Sequence, residues 1–166
     1  MARFIGAILG AVHAASTASG ATQTSPFFNN GRVARILGDY WTGDAAQNDI
    51  VSLGYVDWNT RFDAISQIDF DDFGNAITLD VGVALDPDCL IAARDVATAA
   101  GSASLLKSVG IAHRHKPLWQ LAGYASLQAA KDATVADGGR AELIATFKGG
   151  DPAAATLAWR VYGSPQ

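Results

Sequence analysis

The sequence predicts an all-β fold: a jelly-roll-like antiparallel β-sandwich with one short helix and an extended N-terminal arm. Three observations support this prediction. Runs of alternating apolar and polar residues recur along the chain, turn-forming residues separate these runs, and signals for helices are few. The chain has 166 residues, of which 49% are hydrophobic and 17% are charged. A chain of this length and composition can bury the core of a single domain without disulfides or a structural metal.

Residues 1–31 are predicted to form the arm, and residues 32–166 are predicted to form the sandwich domain. The apolar run Phe4–Val12 resembles a short secretory signal, but two glycines interrupt it, and we expect it to remain part of the protein. The stretch Ala14–Gly31 is rich in small, polar and turn-forming residues, which favour a long loop. No apolar run reaches the ~18 residues that a membrane-spanning helix needs, so we expect no membrane contact.

Alternation predicts the strands one by one, because only a strand places every second side chain on the same face. The clearest apolar face consists of Ile77, Leu79, Val81, Val83 and Leu85. The C-terminal segment repeats the pattern with Ala155, Leu157, Trp159 and Val161. Further strands are predicted over Val33–Leu37, Ile50–Val56, Ala64–Phe70, Ser104–Ile111 and Ala141–Lys148. Seven or eight short strands joined by turns are typical of a β-sandwich.

One short helix is predicted between Pro117 and Gly123. Proline is favoured in the first turn of a helix and glycine directly after its end. The alanine-rich stretch Ala92–Ala100 is a weaker helix signal, because Asp95 and Thr98 interrupt it. Alanine is abundant throughout the chain, so its high helix propensity carries little information here.

The charge of the chain argues against binding to nucleic acid. Twelve Lys and Arg against sixteen Asp and Glu give a net charge of −4, whereas a nucleic-acid footprint requires a basic stripe. A surface poor in charge is typical of a protein that works inside an assembly. The basic run His113–Lys116 is predicted to contact an acidic partner surface. Its two histidines lack the further ligands that a zinc site needs.

The best candidate metal site is the acidic cluster Asp69, Asp71 and Asp72, which precedes a turn. Calcium prefers several oxygen ligands at such a position, although a polar strand end that leads into a turn explains the same pattern. The single cysteine, Cys89, has no motif around it and is predicted to act as a small apolar residue. No nucleophile motif or phosphate-binding loop is present. We therefore expect no enzymatic activity, no catalytic residues and no cofactor.

Several aromatic residues lie near turns or in the arm, whereas Trp119 and Trp159 lie on apolar faces and are predicted to be core residues. If the protein bound sugars, an exposed platform would be expected, with Trp41, Trp58 and Asp57 as its first candidates. Anchors in a protein–protein contact are the commoner use of such residues in an assembly. The aromatic residues near turns or in the arm are Tyr40, Trp41, Trp58, Phe27 and Phe28.

Five strings of residues together resemble a group of tailed-bacteriophage virion proteins. They are Asn48–Val51, Ile68–Asp71, Leu79–Val83, Lys116–Tyr124 and Ala154–Tyr162. The resemblance covers about residues 32 to 162 and is one of pattern. It implies a jelly-roll-like sandwich and a role as a capsid decoration, or cement, protein. It implies no catalytic residues.

The expected function is to stabilise the head shell by binding the major capsid protein at the virion surface. Self-association as a trimer, or contact with another decoration protein, is expected with it. Two alternatives stay open: a carbohydrate- or receptor-binding module of a fibre or tail, and a structural protein of the tail or of the head–tail junction. The predicted interface residues are Phe4, Ile5, Ile8, Leu9, Phe27 and Phe28 in the arm, together with Arg114 and Lys116.

Overall fold

Ten strands and two short α-helices make up the regular structure of residues 3–5 and 34–164, which are the residues that a computed structural model describes. Two single 3-10 turns lie at Ile111–His113 and Val135–Asp137. The helices are α1 (Leu118–Leu121) and α2 (Leu127–Ala133). The strands are β1 (Arg3–Ile5), β2 (Ala34–Gly43), β3 (Ile50–Val56), β4 (Arg61–Phe62), β5 (Gln67–Phe70), β6 (Thr78–Gly82), β7 (Ile91–Asp95), β8 (Gly101–Ser104), β9 (Ala141–Lys148) and β10 (Ala155–Ser164).

The strands form two sheets that pack face to face, which confirms the predicted all-β sandwich. Sheet I has the order β1-β3-β9-β6-β7, and sheet II has the order β2-β10-β5-β8, with β4 paired to the end of β10. Apart from β1 and β4, the pairs nest from the outside inwards: β2 with β10, β3 with β9, β5 with β8 and β6 with β7. This nesting of antiparallel pairs across two sheets is the winding of a jelly roll.

The alternating pattern locates the inner faces of the central strands correctly. In β10, Ala155, Leu157, Trp159 and Val161 are all buried, as predicted. The predicted strands Ile50–Val56 and Ala141–Lys148 coincide with β3 and β9. Burial alternates along the whole of β10, whereas β3 and β9 have consecutive buried residues and are therefore buried on parts of both faces.

Aromatic side chains fill each end of the space between the sheets. At one end, Trp41, Phe73 and Phe147 form a cluster with ring centroids 4.9 to 6.4 Å apart. At the other end, the buried Trp58 meets the ring of Tyr124 edge-on at 5.0 Å. Its indole Nε1 donates a hydrogen bond of 2.8 Å to Thr134 Oγ1. Each end of the core is therefore closed by rings that bury a large apolar area.

A buried hydrogen bond joins the middle of the two sheets. The register of β3 against β9 shifts between Ser52 and Gly54, so Leu53 has no partner residue in β9. The Nε1 of Trp159 in β10 donates to the Leu53 carbonyl oxygen at 2.8 Å, in the buried interior. Gly54 has a φ of 122°, and a Cβ there would lie 3.0 Å from the side chain of Leu37. The bulge thus frees a carbonyl that the tryptophan then satisfies.

The prediction of a strand over Ser104–Ile111 is wrong. Strand β8 ends at Ser104, and the chain then crosses one end of the sandwich from sheet II to sheet I. Leu105 donates its N–H to the Ser66 carbonyl, and Ser108 donates to the Leu90 carbonyl. The adjacent Leu105 and Leu106 are both buried, because a segment lying across the end of the core has no outer face in that place.

Three smaller predictions also need correction. Leu85 is 59% exposed, because β6 ends at Gly82 and a turn follows. The alanine-rich stretch after Leu90 begins with a strand, β7, rather than a helix. A second helix, α2, exists in addition to the predicted one. The hydroxyl of Ser126 accepts a hydrogen bond from the N–H of Ala129 at its start, a capping contact that favours a helix.

The predicted arm lies mostly outside the described residues. Its residues 3–5 form β1, which pairs in parallel with residues 50–52 of β3 in the same chain. The first strand of the sandwich domain runs from Ala34 to Gly43 and is longer than the predicted Val33–Leu37. Strand β5 covers only Gln67–Phe70 of the predicted Ala64–Phe70, because Asp63–Ser66 forms a turn closed by the Ser66 N–H and the Asp63 carbonyl.

We expect the substitution Trp159→Phe to lower the free energy of unfolding by about 2–4 kcal/mol. It leaves the Leu53 carbonyl buried without a donor and removes packed atoms from the middle of the core. Trp119→Phe is the matched control, because Trp119 is only half-buried at the edge of the core. Urea unfolding of both variants measures the difference. An equal and small loss in both would show that the cross-sheet hydrogen bond contributes little.

Candidate functional site: two charged ends and a side cleft

The loops of the sandwich gather at its two ends, and these ends differ in charge. One end, called the acidic end, consists of the four loops at residues 44–49, 71–77, 96–100 and 149–154. The other end consists of residues 57–66, 83–90 and 105–140. Because strands of a jelly roll alternate in direction, residues far apart in sequence share one end.

The acidic end carries five aspartates, and its four loops contain no Lys, Arg or His. Asp44, Asp71, Asp72 and Asp151 are exposed, whereas Asp49 is buried. Local hydrogen bonds hold several of them: Asp151 Oδ1 accepts from Gln47 N at 2.8 Å, and Asp49 Oδ2 accepts from Ala46 N at 2.9 Å. These bonds shape the loops and leave a negative surface.

The opposite end carries a basic segment, residues 105–116, which we call the basic crossover. It contains Lys107, Arg114, Lys116 and two histidines, and no acidic residue. Its buried leucines and its backbone hydrogen bonds to Ser66 and Leu90 hold it in place. The Nε of Arg114 donates to the Val109 carbonyl at 3.2 Å. Ile111 projects from it and is 83% exposed. A cationic surface with an exposed apolar residue at its centre is thus displayed on an acidic chain.

The predicted interface residues fall into three groups. Arg114 is exposed and Lys116 is half-buried, both in the basic crossover. Phe4 and Ile5 belong to β1, so their backbone pairs with β3. The remaining predicted interface residues, Ile8, Leu9, Phe27 and Phe28, lie outside the described residues.

The three aspartates of the calcium candidate do not converge on one point. Asp69 forms an ion pair through Oδ2 with Arg160 Nη2 at 2.7 Å, and its Oδ1 accepts a hydrogen bond from Gln67 Nε2. Asp71 accepts from Thr156 N, and Asp72 accepts from Gly74 N. Among residues 3–5 and 34–164, no group of three or more His, Cys, Asp or Glu side chains is arranged to hold a metal ion. The cluster is a strand end and a turn.

The residues proposed for a sugar platform are not exposed together. Trp41 is 6% exposed and Trp58 is 1% exposed, so both belong to the core. Asp57 lies beside Trp58 and caps a turn by accepting from Asn59 N at 2.7 Å. Tyr40 is 48% exposed, on the outer side of β2. A tryptophan beside a turn can be read as exposed from sequence, because its partner Thr134 lies 76 residues away.

A third feature, which the sequence did not reveal, lies at the edge of the sandwich. In β7, two residues, Ala92 and Ala93, oppose the single residue Asp80 of β6. Ala93 has a positive φ of 47°, and its N–H donates to Asp80 Oδ1 at 2.7 Å. This bulge reverses the alternation, so Arg94 shares the inner face of the strand with Ile91. Simple alternation from Ile91 places Arg94 on the outside.

The redirected Arg94 side chain forms a cation–π contact at the mouth of a cleft. Its guanidinium carbon lies 5.4 Å from the centroid of the Phe70 ring in the opposite sheet. Gly101 lets the ring approach, since a Cβ there would lie 3.2 Å from it. The cleft has a volume of about 210 Å³ and is lined by Phe70, Arg94, Asp95, Thr98, Ala99, Ala100 and Gly101. We call it the Arg94 cleft.

Another group of titratable residues lies in the loop between β6 and β7. Burial raises the pKa of Asp86, and the neighbouring Asp88 side chain raises it further through a hydrogen bond and like charge. Burial, and next the charge of Asp86, raise the pKa of the Cys89 thiol to about 12. Such a thiol is protonated at neutral pH and is a poor nucleophile. This agrees with the predicted role of Cys89 as an apolar residue.

We expect Cys89 to react with a thiol-specific reagent at pH 8 roughly a thousandfold more slowly in the folded protein than in the unfolded chain. The raised pKa leaves little thiolate, and the side chain is half-buried. Labelling with 5,5′-dithiobis(2-nitrobenzoate) with and without denaturant measures the ratio. Equal rates in the two states would contradict the raised pKa.

No helix among the described residues has both the length and the apolar composition for a membrane span. Comparison of the chain with known protein families, with curated proteins and with solved structures finds no match in any of the three. The function of the chain must therefore be inferred from its own residues and geometry.

Proposed function

We propose that the chain is a structural protein of a tailed-bacteriophage virion, a capsid decoration protein that binds the major capsid protein and stabilises the head shell. All five strings that resemble such proteins fall on elements of the jelly roll or at their ends: β3, β5, β6, α1 and β10. Jelly rolls occur in viral capsid proteins and in lectins. Because one fold serves many functions, the surface must carry the argument.

The observation that carries the proposal is the basic crossover, a segment at one end of the sandwich that carries three permanent cations and no acidic residue. Lys107, Arg114 and Lys116 share this segment with the exposed Ile111, whereas the four loops of the acidic end contain five aspartates and no cation. A docking surface with an apolar centre and a charged rim is typical of a protein–protein interface. The charges orient the subunit, with the basic crossover towards an acidic partner surface and the acidic end away from it.

A protein partner fits this surface better than nucleic acid does. The basic crossover carries three permanent cations, and the whole chain has a net charge of −4. Nucleic-acid affinity rises with the number of phosphates neutralised, so three cations beside a negative body provide little of it. A phosphate backbone offers no apolar surface to the exposed Ile111, whereas burial of this side chain against an apolar partner surface is favourable.

In this role the subunit occupies the outer surface of the capsid. Self-association as a trimer at local three-fold positions, or contact with another decoration protein, would match the symmetry of the shell. Each additional contact of standard size buries about 1,600 Å² and opposes separation of the capsid subunits. Repeated over the shell, such contacts resist internal pressure.

Quantitative mass spectrometry of purified virions from the source of this sequence tests the proposal. We expect a copy number comparable to that of the major capsid protein or a simple fraction of it. A copy number typical of a single tail or vertex structure would favour the fibre, tail or head–tail alternatives. Absence of the chain from purified virions would overturn the proposal.

We expect the double substitution Lys107→Glu/Arg114→Glu to weaken binding to undecorated heads by at least about tenfold. The change places like charge against an acidic partner surface, and both residues are exposed, so folding should be retained. The matched control is Arg35→Glu/Lys148→Glu, which changes net charge equally outside the basic crossover. Co-sedimentation with heads at several salt concentrations measures the effect. Equal weakening by both variants would show that only net charge matters.

We expect deletion of residues 2–24, which removes β1 and leaves β3 at the edge of sheet I, to abolish head binding while the rest of the sandwich remains folded. The arm carries small and apolar residues that can lie along a neighbouring subunit or add a strand to one of its edges. Circular dichroism and thermal unfolding check the fold, and co-sedimentation checks binding. Unchanged occupancy of heads by the shortened protein would remove the arm from the interface.

A further inference from the structure

We propose that the Arg94 cleft is a binding site for a carboxylate group. The cleft lies where the edge strands of the two sheets, β7 and β8, are joined by residues 96–100. The structure builds this site from separate elements: the bulge held by Asp80 turns Arg94 inwards, and Gly101 admits the Phe70 ring beneath it. This proposal is independent of the proposed role in the virion.

The first step in the argument is the state of the Arg94 guanidinium. Its Nε is buried from solvent and has no hydrogen-bond partner among the described residues. A buried donor without an acceptor is costly, and more so on a charged group. The contact with Phe70 offsets part of this cost, because a ring face attracts a cation, but a ring face accepts no strong hydrogen bond. The Nε atom therefore lacks an acceptor, and the Arg94 side chain lines an open cleft.

The shape of the cleft limits what can supply that acceptor. Apart from Phe70 and Arg94, its lining consists of small or short side chains, which leave the backbone open to approach. A planar carboxylate matches the fork of a guanidinium with two parallel hydrogen bonds. Thr98 adds a hydroxyl on the rim that can donate a third.

The charge around the cleft favours a single negative charge over two. Asp95 lines the same cleft, and its Oδ1 already accepts from the Ala97 N–H at 2.8 Å. The acidic end carries further exposed aspartates nearby in the fold, including Asp71 and Asp72. A phosphate dianion meets about twice the repulsion that a carboxylate meets from these charges. The site therefore selects a carboxylate, whether it belongs to a free organic acid or ends a polypeptide chain.

The test is a titration followed by the Nε–Hε signals of the arginines in the 15N-labelled full chain. The probes are acetate, inorganic phosphate, acetyl-glycyl-alanine with a free carboxylate, and the same peptide with an amidated C-terminus. Arg140 is an internal control, because its guanidinium lies 5.5 Å from the Tyr55 ring, a similar cation–π contact outside the cleft.

We expect acetate and the free-carboxylate peptide to shift the Arg94 signal saturably, while the Arg140 signal follows only the bulk salt. The amidated peptide should have no effect, and phosphate should bind more weakly than acetate. Tighter binding of the peptide than of acetate would identify the end of a polypeptide as the ligand, and equal binding would identify a free acid. An Arg94 response no larger than that of Arg140 would overturn the proposal.

Two variants separate binding from stability. Arg94→Lys keeps the positive charge but loses the fork, and we expect it to weaken acetate binding by about tenfold or more. Asp95→Asn removes the competing charge without touching the guanidinium, and we expect it to tighten binding of acetate and, more strongly, of phosphate. Thermal unfolding of both variants confirms that they are folded. Unchanged affinity in the folded Arg94→Lys variant would rule out the paired hydrogen bonds.

Discussion

The hydrogen bond from the Trp159 indole to the Leu53 carbonyl is the constraint on which the sandwich depends. The hydrophobic effect has no direction, so apolar contacts fix two packed sheets only through the fit of their side chains. A buried donor and a buried acceptor add a direction. The bulge at Gly54 turns one carbonyl out of the ladder of sheet I, and the indole of Trp159 in β10 donates to it. Sheet I and sheet II are therefore held in one register.

Bulges serve two purposes in this domain. The bulge in β3 lies in the middle of the molecule and fixes the sheets to each other. The bulge in β7 lies on an edge strand, where an extra residue disturbs few ladder bonds, and it redirects a charged side chain. Asp80 holds the strained Ala93 in place, and Arg94 then reaches across to Phe70. The cross-sheet hydrogen bond in the core and the Arg94 cleft at the surface thus both depend on a β-bulge.

Sequence reasoning reached the central strands but failed where the chain leaves regular alternation. Period two located β10, whose burial alternates along its length, and the predicted β3 and β9 also coincide with strands, although both are buried on parts of both faces. It placed a strand over Ser104–Ile111, although two neighbouring leucines already broke the period there. The second helix, α2, was not predicted, because alanine is so abundant that its helix propensity carries little information. The remaining signal is the single capping residue Ser126.

The features of the candidate site likewise differ in whether the sequence could predict them. The basic run at Arg114 and Lys116 could be read directly from the sequence, because charges of one sign cluster there without an acidic residue. The inward direction of Arg94 could not be predicted, because it depends on the extra residue of the bulge in β7, and no residue type in that strand signals a bulge. The burial of Trp58 depends likewise on a helix far along the chain, which local pattern cannot show.

The five aspartates of the acidic end and the basic crossover at the opposite end give the domain an electric dipole along its strands. When two copies approach in solution, the acidic end of one attracts the basic crossover of the other, whereas two acidic ends repel each other. At an ionic strength of about 0.15 M the Debye length is about 8 Å, so this attraction acts only near contact. Distant subunits therefore do not attract each other. Their dipoles influence the relative orientation of two copies only when the surfaces are a few ångströms apart.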